Sequence, residues 1–263
     1  MLAGQGGRDL IDTAWLDDTD EKTYGIDDVD LNIWGDWGYG GEGSEYDPTM
    51  QYGDPRLEEQ LWGDDDIILV GEGYGDQTTN VRVWAGDGDD DVDIAFGWYG
   101  HEIFGGRGDD TITFDGQFPT SIGTSTLNGG LGDDLFQAGD NFATNSPAMT
   151  LVINGGEGKN RYEGFDGAAV LTINGGDDDE VMIGGANVGQ GNLNGGAGND
   201  IVYGSGDADA LAPGTLDLNV DLGDGDDRFY GGEGGLSEDV IGGLGNDTIL
   251  GGLGFMTSKL YGD

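Results

Sequence analysis

Gly242-Gly243-Leu244-Gly245-Asn246-Asp247-Thr248-Ile249-Leu250 is the stretch whose reading decides the fold. A glycine-rich turn presents one acid, and a short strand with a large apolar residue follows at once. Close copies are GGAGNDIVY (195–203), GGLGDDLFQ (129–137), GGRGDDTIT (105–113) and AGDGDDDVD (85–93). Looser ones are LGDGDDRFY (222–230), GGEGKNRYE (155–163) and GGDDDEVMI (175–183). The sixth place is held by Asp90, Asp110, Asp134, Asn160, Glu180, Asp200, Asp227 and Asp247, in steps of 20, 24, 26, 20, 20, 27 and 20 residues. Extending the series backwards gives Asp66, Glu45, Asp28 and Asp9 as further rungs, about twelve coils in all. At ~4.8 Å per strand, such a stack would be roughly 55–60 Å long.

Between one glycine turn and the next, the chain returns through a second short strand. These return strands resemble one another: VRVWA (81–85), HEIF (101–104), STLN (125–128), LVIN (151–154), LTIN (171–174), NLN (192–194) and DVI (239–241). Alternating apolar residues in short runs bounded by glycine are what a parallel solenoid of small coils needs. The expected fold is therefore all-β, a single β-roll or β-helix solenoid over residues 1–263. Residues 1–84 form its less regular, Trp-rich part, and 85–263 the regular repeats. Asp54-Pro55-Arg56-Leu57-Glu58-Glu59-Gln60-Leu61 predicts one short helix, with Asp54 as N-cap and Pro55 in its first position. Pro48, Pro55, Pro119, Pro147 and Pro213 are all expected in the connections, away from the strand ladders.

Composition narrows the function. The 263 residues carry 53 acids against 9 Lys and Arg, a formal charge of −44. Such a chain repels nucleic acid and anionic membranes, so neither is an expected partner. It also repels itself, and divalent cations with oxygen ligands are the natural remedy. A merely solvated, halophilic coat of acids is the alternative, against which stands their clustering at fixed turn places. The 57 glycines follow no three-residue period, which excludes collagen. Cysteine is absent, so disulfides and thiolate metal sites are excluded. Met1–Asp9 contains no apolar signal core, and no segment is long and apolar enough to span a bilayer.

Taken with these motifs, the chain resembles the RTX (repeats-in-toxin) calcium-binding β-roll family over at least residues 85–250. The resemblance implies calcium ions between successive turns, held by turn carbonyls and sixth-place acids. Carried over, the side-chain ligands are Asp90, Asp110, Asp134, Asp200, Asp227 and Asp247. Further rungs are Asp9, Asp28, Asp66, Asn160 and Glu180. The implied carbonyl donors are the second- and fourth-place glycines of each turn. They are Gly86 and Gly88, Gly106 and Gly108, Gly130 and Gly132, Gly156 and Gly158, Gly196 and Gly198, Gly223 and Gly225, and Gly243 and Gly245. Calcium takes six to eight oxygens at ~2.3–2.6 Å, and a glycine turn can aim several carbonyls inward. The departures are definite. Family members usually repeat the motif every nine residues and bind calcium on both edges; here one half-coil carries it, so a single ladder is expected. Asn160 is neutral, and Glu180 follows a turn with Asp178 where a glycine is expected. Asp207, Asp209, Glu238 and Asp239 read as solvated loop acids, with the binding of additional ions as the alternative.

Roughly eleven ions would offset about half of the charge, so a chain disordered without calcium and folded with it is expected. Sites of this kind fill at ~10⁻⁴–10⁻³ M, which points to an extracellular or cell-surface protein, exported without an N-terminal leader. The family's C-terminal export signal is not evident, because Phe255–Asp263 continues the repeat. No enzyme is expected: the single histidine, His101, reads as a half-exposed loop residue without a catalytic companion. The six Trp residues all precede position 99 and read as packing or end-capping, with a cell-surface polysaccharide as the other partner they suit. The step from Asp247 across to Asp9 of a following copy falls within the range of steps inside the chain. A structural protein that stacks head to tail into a filament or surface layer is the leading expectation. The alternative is a monomeric calcium-folded module of a secreted adhesin, toxin or carbohydrate-active enzyme.

Overall fold

The computed structural model describes residues 2–3, 10–12, 31–36, 66–70, 81–95, 101–114, 122–138, 146–165, 168–185, 188–204, 217–232, 237–252 and 257–262. The chain is an all-β parallel solenoid, with no helix among these residues. Two sheets run its length. The first holds eleven strands, from Leu2–Ala3 and Leu31–Asp36 through Val81–Asp87, Glu102–Arg107 and Ile122–Leu131 to Thr257–Tyr261. The second holds ten, from Leu10–Asp12 and Asp66–Val70 through Asp91–Ala95 and Thr111–Phe114 to Thr248–Leu250. First-sheet strands run into the glycine turn and second-sheet strands leave it, so each coil contributes one strand to each sheet.

The core follows from the period of two. Along Asp217–Asp224, exposed and buried residues alternate, with Leu218, Val220 and Leu222 inward. Parallel pairing then stacks like on like. In the first sheet, Val83, Ile103, Leu127, Ile153, Ile173, Leu193, Val220 and Val240 share one register column. In the second, the eighth-place residues Val92, Ile112, Phe136, Tyr162, Met182, Val202, Phe229 and Ile249 share another. All but Ile249 are buried in one continuous core. Equivalent aromatics also stack: Phe136 lies 5.2 Å from Tyr162 at an interplanar angle of 4°.

Several expectations need correction. The second sheet has ten strands among the described residues, against the roughly twelve coils read from the spacing. The difference lies at the N-terminal end. Leu10–Asp12 pairs directly with Asp66–Val70, and Leu31–Asp36 belongs to the first sheet, in register with Val81–Gly86. Asp28 and Glu45 lie outside the described residues. Pro147 is not in a connection but inside the strand Ser146–Glu157. It sits where the register against the next coil shifts between Ser146 and Thr150, an irregularity at which a missing N–H is tolerated. The other four prolines and the expected helix at 54–61 lie outside the described residues.

Candidate metal centre

Seven of the eight described turns are shaped by two glycines with positive φ, the exception being the turn of Gly176 and Asp178. The second- and fourth-place residues Gly86 and Gly88, Gly106 and Gly108, Gly130 and Gly132, Gly156 and Gly158, Gly196 and Gly198, Gly223 and Gly225, and Gly243 and Gly245 all have φ between 88° and 156°. At Gly106 the need for glycine is double: its φ is +136°, and a Cβ there would lie 1.8 Å from the carbonyl oxygen of Gly86. The turns are thus stacked backbone on backbone.

The sixth-place residues form a ladder inside this edge. The backbone N–H of Asp90 donates to Oδ1 of Asp110 (3.0 Å), that of Asp110 to Asp134 (2.9 Å), and that of Asp134 to Oδ1 of Asn160 (2.9 Å). The ladder resumes with Glu180 to Asp200 (2.8 Å), Asp200 to Asp227 (2.8 Å) and Asp227 to Asp247 (3.1 Å). Every acceptor belongs to the following coil. Asp110, Asp134, Asn160, Glu180, Asp200 and Asp227 are all at most 1 % exposed.

In Asp110, Asp134, Asp200 and Asp227 one oxygen is thereby fixed and the other is left over. Oδ2 of Asp110, Asp134, Asp200 and Asp227 is buried without a hydrogen-bond partner. Burial raises the pKa of each of these carboxyls. Asp110 is pushed up to about 9, Asp134 to about 7 and Asp227 to about 6, with neighbouring acids adding to the effect. Glu180 rises to about 9 through burial and the adjacent Asp200 carboxylate. A buried carboxylate with a vacant oxygen requires a proton or a cation.

The spare oxygens of Asp110, Asp134 and Asp200 point at the first glycine of their own turn, where the next coil supplies a carbonyl. The point where a Cβ of Gly129 would lie is 1.9 Å from Oδ2 of Asp134 and 2.6 Å from the carbonyl oxygen of Gly155. The corresponding distances at Gly105 are 2.2 Å to Asp110 and 2.9 Å to Gly129, and at Gly195 they are 2.2 Å to Asp200 and 2.3 Å to Leu222. Carboxylate and carbonyl oxygens converging in a space without side chains suit a hard cation. No cluster of three or more His, Cys, Asp or Glu that could hold a metal is found among the described residues. An ion here would therefore draw most of its ligands from main-chain carbonyls.

The carbonyls that meet the spare oxygens come from the first place of a turn, which differs from the donors expected at the second and fourth places. The carbonyl oxygens of Gly88, Gly108, Gly132, Gly198 and Gly225 lie instead against the fourth-place glycine of the following coil, respectively Gly108, Gly132, Gly158, Gly225 and Gly245. Those of Gly86, Gly106, Gly130, Gly196 and Gly223 lie in the same way against Gly106, Gly130, Gly156, Gly223 and Gly243, and that of Gly156 against Gly176. The fourth-place N–H groups are used as well. Gly88, Gly108, Gly132, Gly198 and Gly225 donate to the third-place carbonyls of Arg107, Leu131, Glu157, Asp224 and Leu244, at 2.7 to 3.0 Å. A carbonyl can approach so closely only where no Cβ intervenes, so these glycines shape and stack the turns.

A second ladder, one place earlier, has no counterpart among the expected sites. At the fifth place the acceptor belongs to the preceding coil. Asp109 N–H donates to Asp89 (2.9 Å), Asp133 N–H to Asp109 (2.8 Å), Lys159 N–H to Asp133 (2.7 Å), Asn199 N–H to Asp179 (2.8 Å) and Asn246 N–H to Asp226 (2.8 Å). These groups are mostly exposed. The available signal is that seven of the eight fifth-place residues are Asp or Asn, Lys159 being the exception. In the first sheet, Asn128, Asn154 and Asn174 form a third ladder through side-chain amides, each bond 2.8 Å long.

The remaining candidates fall differently. Asp66 is displaced by one place: it pairs with Asp91 rather than with Asp90. Asp9 and Asp28 lie outside the described residues. Asp247 is half-buried and closes the ladder as an acceptor. Glu238 is no solvated loop acid. It is 1 % exposed, stands in the register column that holds Leu218, and receives the N–H of Gly252 at 3.3 and 3.2 Å. Asp239 pairs with Lys259 at 3.0 Å, while Asp207 and Asp209 lie outside the described residues. His101 is likewise buried, at 1 % exposure rather than half-exposed, and burial lowers its pKa to about 4. No family model, curated protein or solved structure matches the chain.

Proposed function

We propose that the chain is a calcium-binding structural protein of the RTX type, whose solenoid is completed by cations along the glycine edge. The observation that carries this reading is the row of buried carboxylate oxygens without partners, facing turn carbonyls of the next coil. Asp110, Asp134, Asp200 and Asp227 would hold the ions, with carbonyls of Gly129, Gly155 and Leu222 among the partners. The ion neutralises the carboxylates and lets the coils close on one another. Neither a nucleophile nor a metal-activated water is needed for that role.

Calcium titration followed by far-UV circular dichroism and equilibrium dialysis tests it. Strand signal is expected to appear together with several bound ions, at ~10⁻⁴–10⁻³ M calcium. A chain fully folded in chelator at pH 8, or one that binds no calcium, overturns it. An affinity in that range would suit a protein that works outside the cell or on its surface.

A second reading, head-to-tail assembly, is favoured by one observation. The coil ending at Tyr261 exposes Leu244, Leu250, Leu260 and Tyr261, with Leu244 at 65 %. Strands at that face are open to another coil, supplied by a second copy or by continuing chain. Sedimentation at millimolar calcium distinguishes them: growing species support assembly, and a persistent monomer favours a calcium-folded module.

A further inference from the structure

The ladder of acids is broken once, and the break is chemically specific. In the coil of Asn160, the space before the first glycine holds different atoms. A Cβ of Gly155 would lie 2.0 Å from the hydroxyl of Tyr162 and 2.5 Å from Nδ2 of Asn160. In the coils of Asp110, Asp134, Asp200 and Asp247, the same space holds a carboxylate oxygen. Two hydrogen-bond donors have replaced an anionic acceptor.

Both donors find backbone oxygens. Nδ2 of Asn160 donates to the carbonyl of Gly158 at 3.1 Å, and the hydroxyl of Tyr162 to that of Asn174 at 3.4 Å. Tyr162 is the only eighth-place residue with a hydroxyl. Burial and the surrounding Glu180, Asp134 and Asp200 raise its pKa, so it stays a neutral donor.

We propose that the cation edge is two separate segments, Asp90–Asp134 and Glu180–Asp247, divided by an ion-free coil in which Asn160 and Tyr162 do by hydrogen bonding what a cation does elsewhere. The inference rests on the calcium reading above. Across the neutral coil, the flanking acids Asp134 and Glu180 are two strand spacings apart, roughly 9.6 Å. Ions on either side share no ligand there. The segments therefore fill independently, and the central coil is closed before either is occupied.

Hydrogen exchange measured against calcium, with peptides from 101–138 and 190–230 followed separately, tests the independence. Asp110→Asn is expected to raise the calcium midpoint of the first region roughly tenfold and leave the second unchanged; Asp200→Asn does the reverse. Equal shifts in both regions would overturn the division. Asn160→Asp combined with Tyr162→Phe rebuilds an acid rung, and phenylalanine already occupies the eighth place at Phe136 and Phe229. That variant is expected to bind about one or two more ions by equilibrium dialysis and to merge the two transitions. An unchanged count in a folded variant counts against the proposal, and if the variant does not fold, the two single substitutions decide. A wild-type chain that binds no calcium would instead overturn the underlying function.

Discussion

Asp134 shows what one residue contributes at this edge. Its Oδ1 receives the N–H of Asp110, while its Oδ2 has no partner. Asp134→Asn keeps the acceptor and removes the charge, so the two oxygens can be separated by experiment. Thermal melts in calcium are expected to fall for the variant, while melts in chelator hold or rise, because an unneutralised buried carboxylate has gone. The glycines leave no such latitude. Gly106→Ala places a Cβ 1.8 Å from the Gly86 carbonyl at a φ that L-residues avoid. A loss of about 3 kcal/mol or more is expected in a denaturant titration, with calcium unable to restore it. Protons act on the same acids. The folded-state values of Asp110, Asp134, Glu180 and Asp227 are raised, to about 9, 7, 9 and 6. Their stabilisation is therefore fully present below the usual carboxylate range and is lost as pH climbs through those values. In chelator, the coil content read by circular dichroism should be greatest near about pH 4–5 and decline towards about pH 9. A decline in the opposite direction would mean these carboxyls are not buried.

At the scale of elements, the two turn ladders differ in kind. The fifth-place ladder is exposed, so Asp109→Ala removes an acceptor whose donor can turn to water. About 1 kcal/mol or less is expected from chemical denaturation, against a larger loss at the sixth place in calcium. This contrast also explains what is legible in the sequence. The sixth place can be read because a lone turn acid recurs before a large apolar residue, and burial enforces that pattern. Adjacent acids such as Asp109 and Asp110 look alike in sequence; only the opposite aim of their side chains separates them. Which carbonyls of a glycine turn face a carboxylate is equally hidden, because Gly105, Gly106 and Gly108 differ only in backbone direction. The spacing puts Asp66 one place off because Asp64, Asp65 and Asp66 are consecutive, and a run of one residue type carries no register. His101 and Glu238 look solvated because their residue types usually are. Both stand in inward places that other coils fill with apolar or small residues, a fact set by the alternation of the strand and not by composition.

For the whole molecule, charge is the governing quantity. Exposed pairs between coils, such as Lys159 with Asp179 and Arg82 with Glu102, are solvent-screened and contribute little. With a formal −44, the decisive comparison is between sodium and calcium. Sodium chloride at about 1 M shortens the screening length to about 3 Å but does not reach a buried oxygen. Folding by millimolar calcium that molar sodium cannot reproduce would separate an ion-completed solenoid from a halophilic coat. The steps of 24, 26 and 27 residues bear on the molecule's use as well. Their extra length falls between a second-sheet strand and the next first-sheet strand, as between Tyr203 and Asp217, never within the glycine turn. One edge of the rod is therefore a fixed spine and the other a row of editable slots. Foreign peptides grafted into those slots would be displayed at multiples of the strand spacing, like books on a shelf whose pitch the spine alone sets.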